Sequence, residues 1–410
     1  MRLFYTIGIH LYKLLIRVAA LFNQKASLWL KGRKDLLKKL EVDLAQYSGK
    51  TIWIHSASLG EFEQGRPLIE NLKQQHPELK ILVTFFSPSG YEVRKDYPLA
   101  DFIYYLPIDT VSNARQLISL IKPELVIFIK YEFWFNYLNE LHKKQIPVVF
   151  ISTIFRPQQY FFKFYGSWAR KHLKNVKHFF VQNEASKNLL KGVGIDQVSI
   201  SGDTRFDRVA SIAQQVKPNN LVEVFKGTQP LFLAGSSWPE DEKSLLPLLA
   251  EYPDMKFIIA PHLIDAAHIF QIMQLFPNSI SYSKATTSNV SSYQVLVIDN
   301  IGMLSSLYQY ANYALIGGGF GAGIHNTLEA ATFGMPIFIG PNYHKFQEAK
   351  ELIAEDVAFV FKDAQQLNTV FESLNNDQVK YRRVVESSQR YVQSKTGATQ
   401  MILDLLEDYL

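Results

Sequence analysis

The sequence predicts an α/β protein built from two doubly wound domains, and three observations carry that reading. The chain has 410 residues, about two to three times the usual size of one domain. Apolar residues make up 47% of it and charged residues 20%, which supplies full cores and excludes a disordered or fibrous protein. Beyond residue 50, short runs rich in β-branched and aromatic residues alternate with helix-length stretches. That is the pattern of buried parallel strands with helices on both faces.

The first element is an N-terminal segment over residues 1–40, with nine Lys and Arg against one acid, Asp35. Its longest run without a cation is the ten residues Leu3–Tyr12, whereas a spanning helix needs about 20. Lys13 and Arg17 also interrupt a secretory signal core. Thr6, His10, Lys13 and Arg17 share one helical stripe, and Phe4, Ile7, Leu11, Leu14, Leu15, Val18 and Phe22 cover the rest. With Lys31, Arg33, Lys34, Lys38 and Lys39 following, the segment is expected to lie at the headgroup level of an anionic membrane. The plainer alternatives are a domain helix packed on a core and a shallow single-pass anchor.

Strands follow in two sets. The first is Thr51–His55, Lys80–Phe86, Phe102–Tyr105, Leu125–Lys130, Pro147–Ser152 and His178–Val181. The second is Pro230–Ala234, Lys256–Ala260, Val295–Asp299, Tyr313–Gly317, Pro336–Gly340 and Ala358–Phe361. The polar stretch 214–227 between them reads as a linker, giving domains over 41–213 and 228–385. Residues 41–205 carry a net +4 and residues 206–410 a net −7. A basic first half points to an anionic partner, and the N-terminus favours a membrane surface over nucleic acid. The absence of cysteine from the sequence excludes a disulfide framework and thiolate chemistry.

The residues that carry chemistry fall at strand ends, where open α/β sheets bind ligands. Glu61 follows Thr51–His55 at the start of a helix and is a candidate general base, although a carboxylate there also suits the helix dipole. Glu63, two residues on, is expected to be solvated. Gly317, Gly318, Gly319, Gly321 and Gly323 form a loop that lets backbone approach a ligand. A helix expected to begin near His325 or Asn326 offers amides to phosphate, with Glu329 one turn in as an acceptor for ribose hydroxyls. Gly317-x-Gly319-x-x-Ala322 loosely fits a dinucleotide fingerprint, but the next strand ends at Gly340 and Pro341 without the required acid. Lys130, Glu132, Arg205, Ser236, Ser237, Pro261 and His262 stand at further strand ends or loops. No Asp-x-Asp, His-x-x-x-His or thiol pattern suggests a metal, and no cofactor is expected.

Together the segments SLGE, KYEFW, GDTRFD, IGM and HNTLEAATFGMPIFIGPNYHKFQE resemble the 3-deoxy-D-manno-octulosonic acid (Kdo) transferases of lipopolysaccharide synthesis over nearly the whole chain. The resemblance implies the GT-B fold, with two Rossmann-like domains facing a cleft and a C-terminal helix over 386–410 packing back on the first domain. It implies an acceptor-binding first domain and a CMP-sugar-binding second one. The donor is then CMP-Kdo and the acceptor a lipid A precursor of the lipid IVA type, at the cytoplasmic face of the inner membrane. The family's general base falls on Glu61 and its charge-stabilising positions on Glu132 and Arg205. Its donor contacts fall on Pro261, His262, Ile301, Gly302, Met303, Gly318, Gly319, Asn326, Thr327, Leu328 and Glu329. Three positions depart from the family pattern. Pro261-His262-Leu263 replaces Pro-Arg-His, Met303 stands in place of an acid, and so does Lys130. The implied reaction is an inverting transfer, in which Glu61 deprotonates an acceptor hydroxyl and CMP leaves against glycine-loop amides and Arg205. A UDP-dependent GT-B transferase or epimerase, and a non-catalytic nucleotide-binding scaffold, are the alternative readings.

Overall fold

A computed structural model describes residues 2–45, 47 and 49–409, so Met1 of the N-terminal segment lies outside the described residues. The chain forms two compact units, one of Met1–Arg208 with Thr396–Leu410 and one of Val209–Lys395.

The first unit holds a parallel sheet of β1 (Thr51–Ser56), β2 (Lys80–Phe85), β3 (Phe102–Tyr105), β4 (Leu125–Ile129), β5 (Val148–Thr153), β6 (His178–Val181) and β7 (Val198–Ile200). Their order is β3-β2-β1-β4-β5-β6-β7, so the winding reverses between β1 and β4. Alternation along each strand sends Trp53, Phe128, Phe150 and Phe179 into one core layer and Ile54, Ile127, Ile151 and Phe180 into the other. Both faces are therefore covered, which is why these strands read as continuous apolar runs. The Ala398–Leu406 helix contributes Ile402, Leu403 and Leu406 to the second layer. Its entry is fixed by Asp207, which accepts from the amides of Gly397 and Thr399 and from the Thr399 hydroxyl, each at 2.6 Å.

The second unit repeats the plan with β8 (Leu231–Ser237), β9 (Lys256–Pro261), β10 (Ser279–Ser281), β11 (Val295–Val297), β12 (Tyr313–Ile316), β13 (Ile337–Ile339) and β14 (Ala358–Val360). The order is β10-β11-β9-β8-β12-β13-β14, all parallel, with the reversal between β8 and β12.

The boundaries differ from the sequence expectation. The stretch expected as a linker, 214–227, contains the Asn220–Lys226 helix, whose Val222 and Phe225 are buried in the second unit. The division falls earlier, inside the Arg205–Gln215 helix. Residues 386–395 complete the Gln378–Gln393 helix of the second unit, so the return to the first begins at Thr396. Residues 24–40 are not a detached segment, since Trp29, Leu36 and Leu40 are buried in the first unit.

The Arg2–Ala19 helix docks through Tyr5, whose hydroxyl donates to buried Asp109 and whose ring meets Phe135 and Trp168. Thr6 and Lys13 are half-buried, while Leu3, Phe4, Ile7, Leu11, Leu14, Leu15 and Val18 are exposed, and Phe22 just beyond is 88% exposed. Among the described residues, no helix is long and apolar enough to cross a membrane.

Candidate active site

In the first unit, Glu61 and Glu132 follow the carboxyl ends of β1 and β4, the strands that flank the reversal, and Arg205 follows β7. Glu61 is the third residue of the Leu59–Gln75 helix that follows β1, and it is 9% exposed. Its Oε2 accepts from the Ala57 amide at 2.6 Å. Burial and the nearby Glu132 charge push its pKa up to about 7, against the opposing pull of the Ala57 and Ser58 amides and Lys130.

Glu132 follows β4 and is held from behind. Trp134 Nε1 donates to its Oε2 at 2.9 Å, and His55 Nε2 lies 3.4 Å from the same oxygen. The His55 ring is fully buried and engages the Thr84 hydroxyl through Nδ1 at 2.8 Å, which in turn accepts from Trp53 Nε1 at 2.8 Å. Lys130 adopts a left-handed backbone, φ +63°, at the turn that presents this segment. Arg205 makes a two-pronged pair with Asp203, Nε at 2.9 Å and Nη2 at 2.8 Å from Oδ2. Burial raises the Tyr131 pKa, and the charges of Arg156, Glu61, Arg205 and Asp203 modulate it. A cavity of about 510 Å³ lined by Tyr131, Arg156, Gln158 and Gln159 opens there.

In the second unit, the strand ends flanking the reversal are bound by buried Asp241. Its Oδ2 accepts from the amides of Gly318 at 2.9 Å and Trp238 at 3.0 Å, so one carboxylate ties the loop after β12 to the loop after β8. Burial pushes the Asp241 pKa up to about 6. A bulge at Ser236, φ +52°, ends the β8–β9 register and turns the backbone beside Pro261. The rings of Trp238, His262 and His325 then stack, with centroids 5.0 and 4.2 Å apart. Burial and His262 depress the His325 pKa to about 4, and its Nε2 accepts from Trp238 Nε1 at 3.2 Å. A cavity of about 430 Å³ lies alongside, bounded by Pro261, His262, Ile298, Asn300, Ile301 and Gly302.

The glycine loop divides its labour. A Cβ on Gly317 would lie 2.2 Å from the Ser236 carbonyl, and one on Gly319 would lie 2.5 Å from Gly340 Cα. Packing therefore accounts for these two, and turn geometry for Gly318 and Gly323, whose φ angles are +92° and +135°. The following helix, Leu328–Phe333, is six residues long and starts later than His325 or Asn326. Asn326 caps it by accepting from the Leu328 amide at 3.1 Å and donates to Glu329 Oε1 at 2.9 Å, while Ser305 donates to Oε2 at 2.7 Å. Thr327 Oγ1 and Asn300 Oδ1 are buried without a partner among the described residues, as is Ser56 Oγ at the end of β1.

Residues 30–208 match the family described as 3-deoxy-D-manno-octulosonic-acid transferase (kdotransferase). A 3-deoxy-D-manno-octulosonic acid transferase of Haemophilus influenzae is 28% identical over 88% of this chain and 87% of its own. One from Aquifex aeolicus is 27% identical over 79% and 85%. Over most of its length the chain is similar to Kdo transferases. The fold is GT-B, and solved structures share it at low identity. A UDP-GlcNAc 2-epimerase from Neisseria meningitidis superposes with a TM-score of 0.61 at 19% identity, covering 88% of this chain and all of its own. A MurG from Acinetobacter baumannii does so at 0.55 and 13%, with the same coverage.

Within each unit, some of the sequence-predicted residues lie near one another. The Glu132 charge acts on Glu61, and Pro261, His262, Ile301 and Gly302 line one cavity. Met303 caps the short Leu304–Leu307 helix with its backbone and does not line that cavity. Glu63 departs from expectation: it pairs with Arg94 at 2.7 Å, Arg208 at 3.0 Å and Arg66 at 3.8 Å. Arg66 is the helix neighbour three residues on, whereas Arg94 and Arg208 are distant in sequence and left no local pattern to read. Asp241, Trp238, His325, Arg156 and Asn300 were missed, because each acts through a partner brought by the fold. A larger cavity, about 1130 Å³, lies at the amino ends of β1, β4, β5 and β6, bounded by Lys50, Glu124, Pro147 and Lys177 among others. Open α/β sheets bind at the other end, so volume alone does not mark the site.

Proposed function

We propose that the protein transfers Kdo from CMP-Kdo to a lipid A precursor of the lipid IVA type, with inversion, at the cytoplasmic face of the inner membrane. The observation that carries the reading is Glu61, a half-titrated carboxylate near pH 7 at the carboxyl end of β1. A base poised near the working pH is matched to taking a proton from a sugar hydroxyl as that oxygen attacks the anomeric carbon. CMP leaves as a phosphate monoester anion that needs little protonation, so no acid partner is required.

In the second unit, Pro261, His262, Ile301 and Gly302 supply the walls of the donor pocket. Asn300 lines the same pocket. Glu329, oriented by Asn326 and Ser305, is the acceptor for ribose hydroxyls. His262 stands at the position of the family's arginine, and its stack between Trp238 and His325 fixes the ring there. Arg205 is locked by Asp203 and offers a fixed cation for charge that develops on the reacting groups. At the N-terminus, the exposed apolar face of the Arg2–Ala19 helix supports residence on the membrane surface rather than across it.

The test is transfer by the purified full chain with CMP-Kdo and a lipid A precursor, products resolved by mass. A product heavier by one or more Kdo units is expected. Consumption of UDP-sugars with none of CMP-Kdo would overturn the donor assignment.

A further inference from the structure

Ser237, Glu242 and His268 of the second unit are all buried, and the chemistry proposed above uses none of them. Ser237 ends β8, Glu242 belongs to the Pro239–Ser244 helix, and His268 lies in the first turn of the Ala266–Leu275 helix. The Ser237 hydroxyl donates to Glu242 Oε1 at 2.9 Å, and His268 Nε2 lies 3.1 Å from Oε2. Both carboxylate oxygens are thus engaged, each by a different element. The trio is not a nucleophile with its base, because the serine hydroxyl is spent on the carboxylate and not on the imidazole.

The other ring nitrogen shows what this chain of contacts holds. His268 Nδ1 is 3.0 Å from the Leu263 carbonyl, which can only accept, so Nδ1 carries a proton. Leu263 directly follows His262, whose amide donates to the Ser237 carbonyl at 3.0 Å. Ser237 therefore grips His262 through its backbone, while its side chain, acting through Glu242 and His268, grips the next residue. The circuit closes around the turn by which the chain leaves β9. Asp265 fastens the following helix to the same turn by accepting from the His268 amide at 3.0 Å. The Leu263 side chain is 48% exposed, so hydrogen bonds and not its packing anchor the turn.

We infer that Glu242 is a positioning residue for donor binding, fixing residues 261–263 so that His262 keeps its place on the wall of the 430 Å³ cavity. The inference rests on the reading of that cavity as the donor pocket. Glu242 does not line the cavity and acts only through Ser237 and His268. A turn that has to be ordered on binding costs affinity, and ordering it beforehand removes that cost. The stack of His262 on Trp238 depends on the same placement. The effect belongs to donor affinity and not to the chemical step, which Glu61 carries in the other unit.

The test is calorimetric titration of the full chain with CMP, alongside thermal unfolding without ligand. Glu242→Ala removes both contacts and should weaken CMP binding at least about tenfold. Glu242→Gln keeps an oxygen for the Ser237 hydroxyl and offers an N–H to His268 Nε2, so it should stay within about threefold of the parent. Ser237→Ala deletes a single oxygen and should weaken binding by about threefold to tenfold. A purely structural role would lower the unfolding midpoint and leave the affinity of the folded protein unchanged. That result in Glu242→Ala, or in Ser237→Ala should the first variant not fold, overturns the inference. A loss in Glu242→Gln as large as in Glu242→Ala does so too, because charge and not the two contacts would then be at work. With CMP-Kdo and a lipid A precursor, KM for the donor should rise in Glu242→Ala while kcat stays within about threefold, and a fall in kcat alone overturns the positioning role. Failure of the parent to bind CMP overturns the donor-pocket reading and this inference together.

Discussion

Glu61 keeps one oxygen on the Ala57 amide while burial and the Glu132 charge hold its pKa near 7. The ordinary glutamate value is 4.5, so the folded state prefers the proton. The stabilising contribution is complete below that value and is lost as pH rises through 7. Glu61→Gln should therefore raise stability above pH 7 by roughly 1–3 kcal/mol and change little near pH 4. Transfer should fall by at least about 10²-fold, because the amide cannot accept a proton. The parent's acid limb, expected to bend near pH 7, should move lower in Glu132→Gln, where the like charge is gone. Rates and denaturation over pH 4–9 check both signs, and near-normal turnover in Glu61→Gln would sink the mechanism.

At the scale of elements, the loop after β12 is built on backbone-to-backbone contact. Gly319→Ala would place its Cβ 2.5 Å from Gly340 Cα and 2.6 Å from Gly340 N, atoms that cannot swing aside. It should cost at least about 2 kcal/mol in denaturant titrations. Gly321→Ala, whose Cβ would meet only the Gly318 carbonyl at 3.8 Å, is the control and should be nearly neutral. A neutral Gly319→Ala would show that the two loops are not locked. The central strands were legible because they are apolar on both faces. The edge strands Val198–Ile200 and Ser279–Ser281 were not: each is three residues long and carries serine. The late start of Leu328–Phe333 was hidden for a similar reason, since Asn326 spends its side chain as a cap. Glycine density marked the loop correctly, but only the fold distinguishes a glycine needed for packing from one facing open space.

At the scale of the whole molecule, charge and exposed apolar surface concentrate in the first unit. Residues 1–40 alone carry a net +8, while residues 206–410 are acidic. Deleting residues 1–22 should release the protein from membranes and leave CMP binding intact, because the residues proposed to bind the donor all belong to Val209–Lys395. Flotation and nucleotide titration of the truncated chain check this. Retention on membranes in high salt would show that other surfaces hold the protein.

Asp207 and the Ala398–Leu406 helix also impose an order of events during synthesis. The first unit emerges from the ribosome with one sheet face incomplete, since Ile402, Leu403 and Leu406 are translated after the entire second unit. Until they arrive, the Leu59–Gln75 helix lacks part of its cover, and the nascent chain carries that exposed patch together with an apolar N-terminal helix. A stop codon a few residues early would thus injure the half of the protein made first.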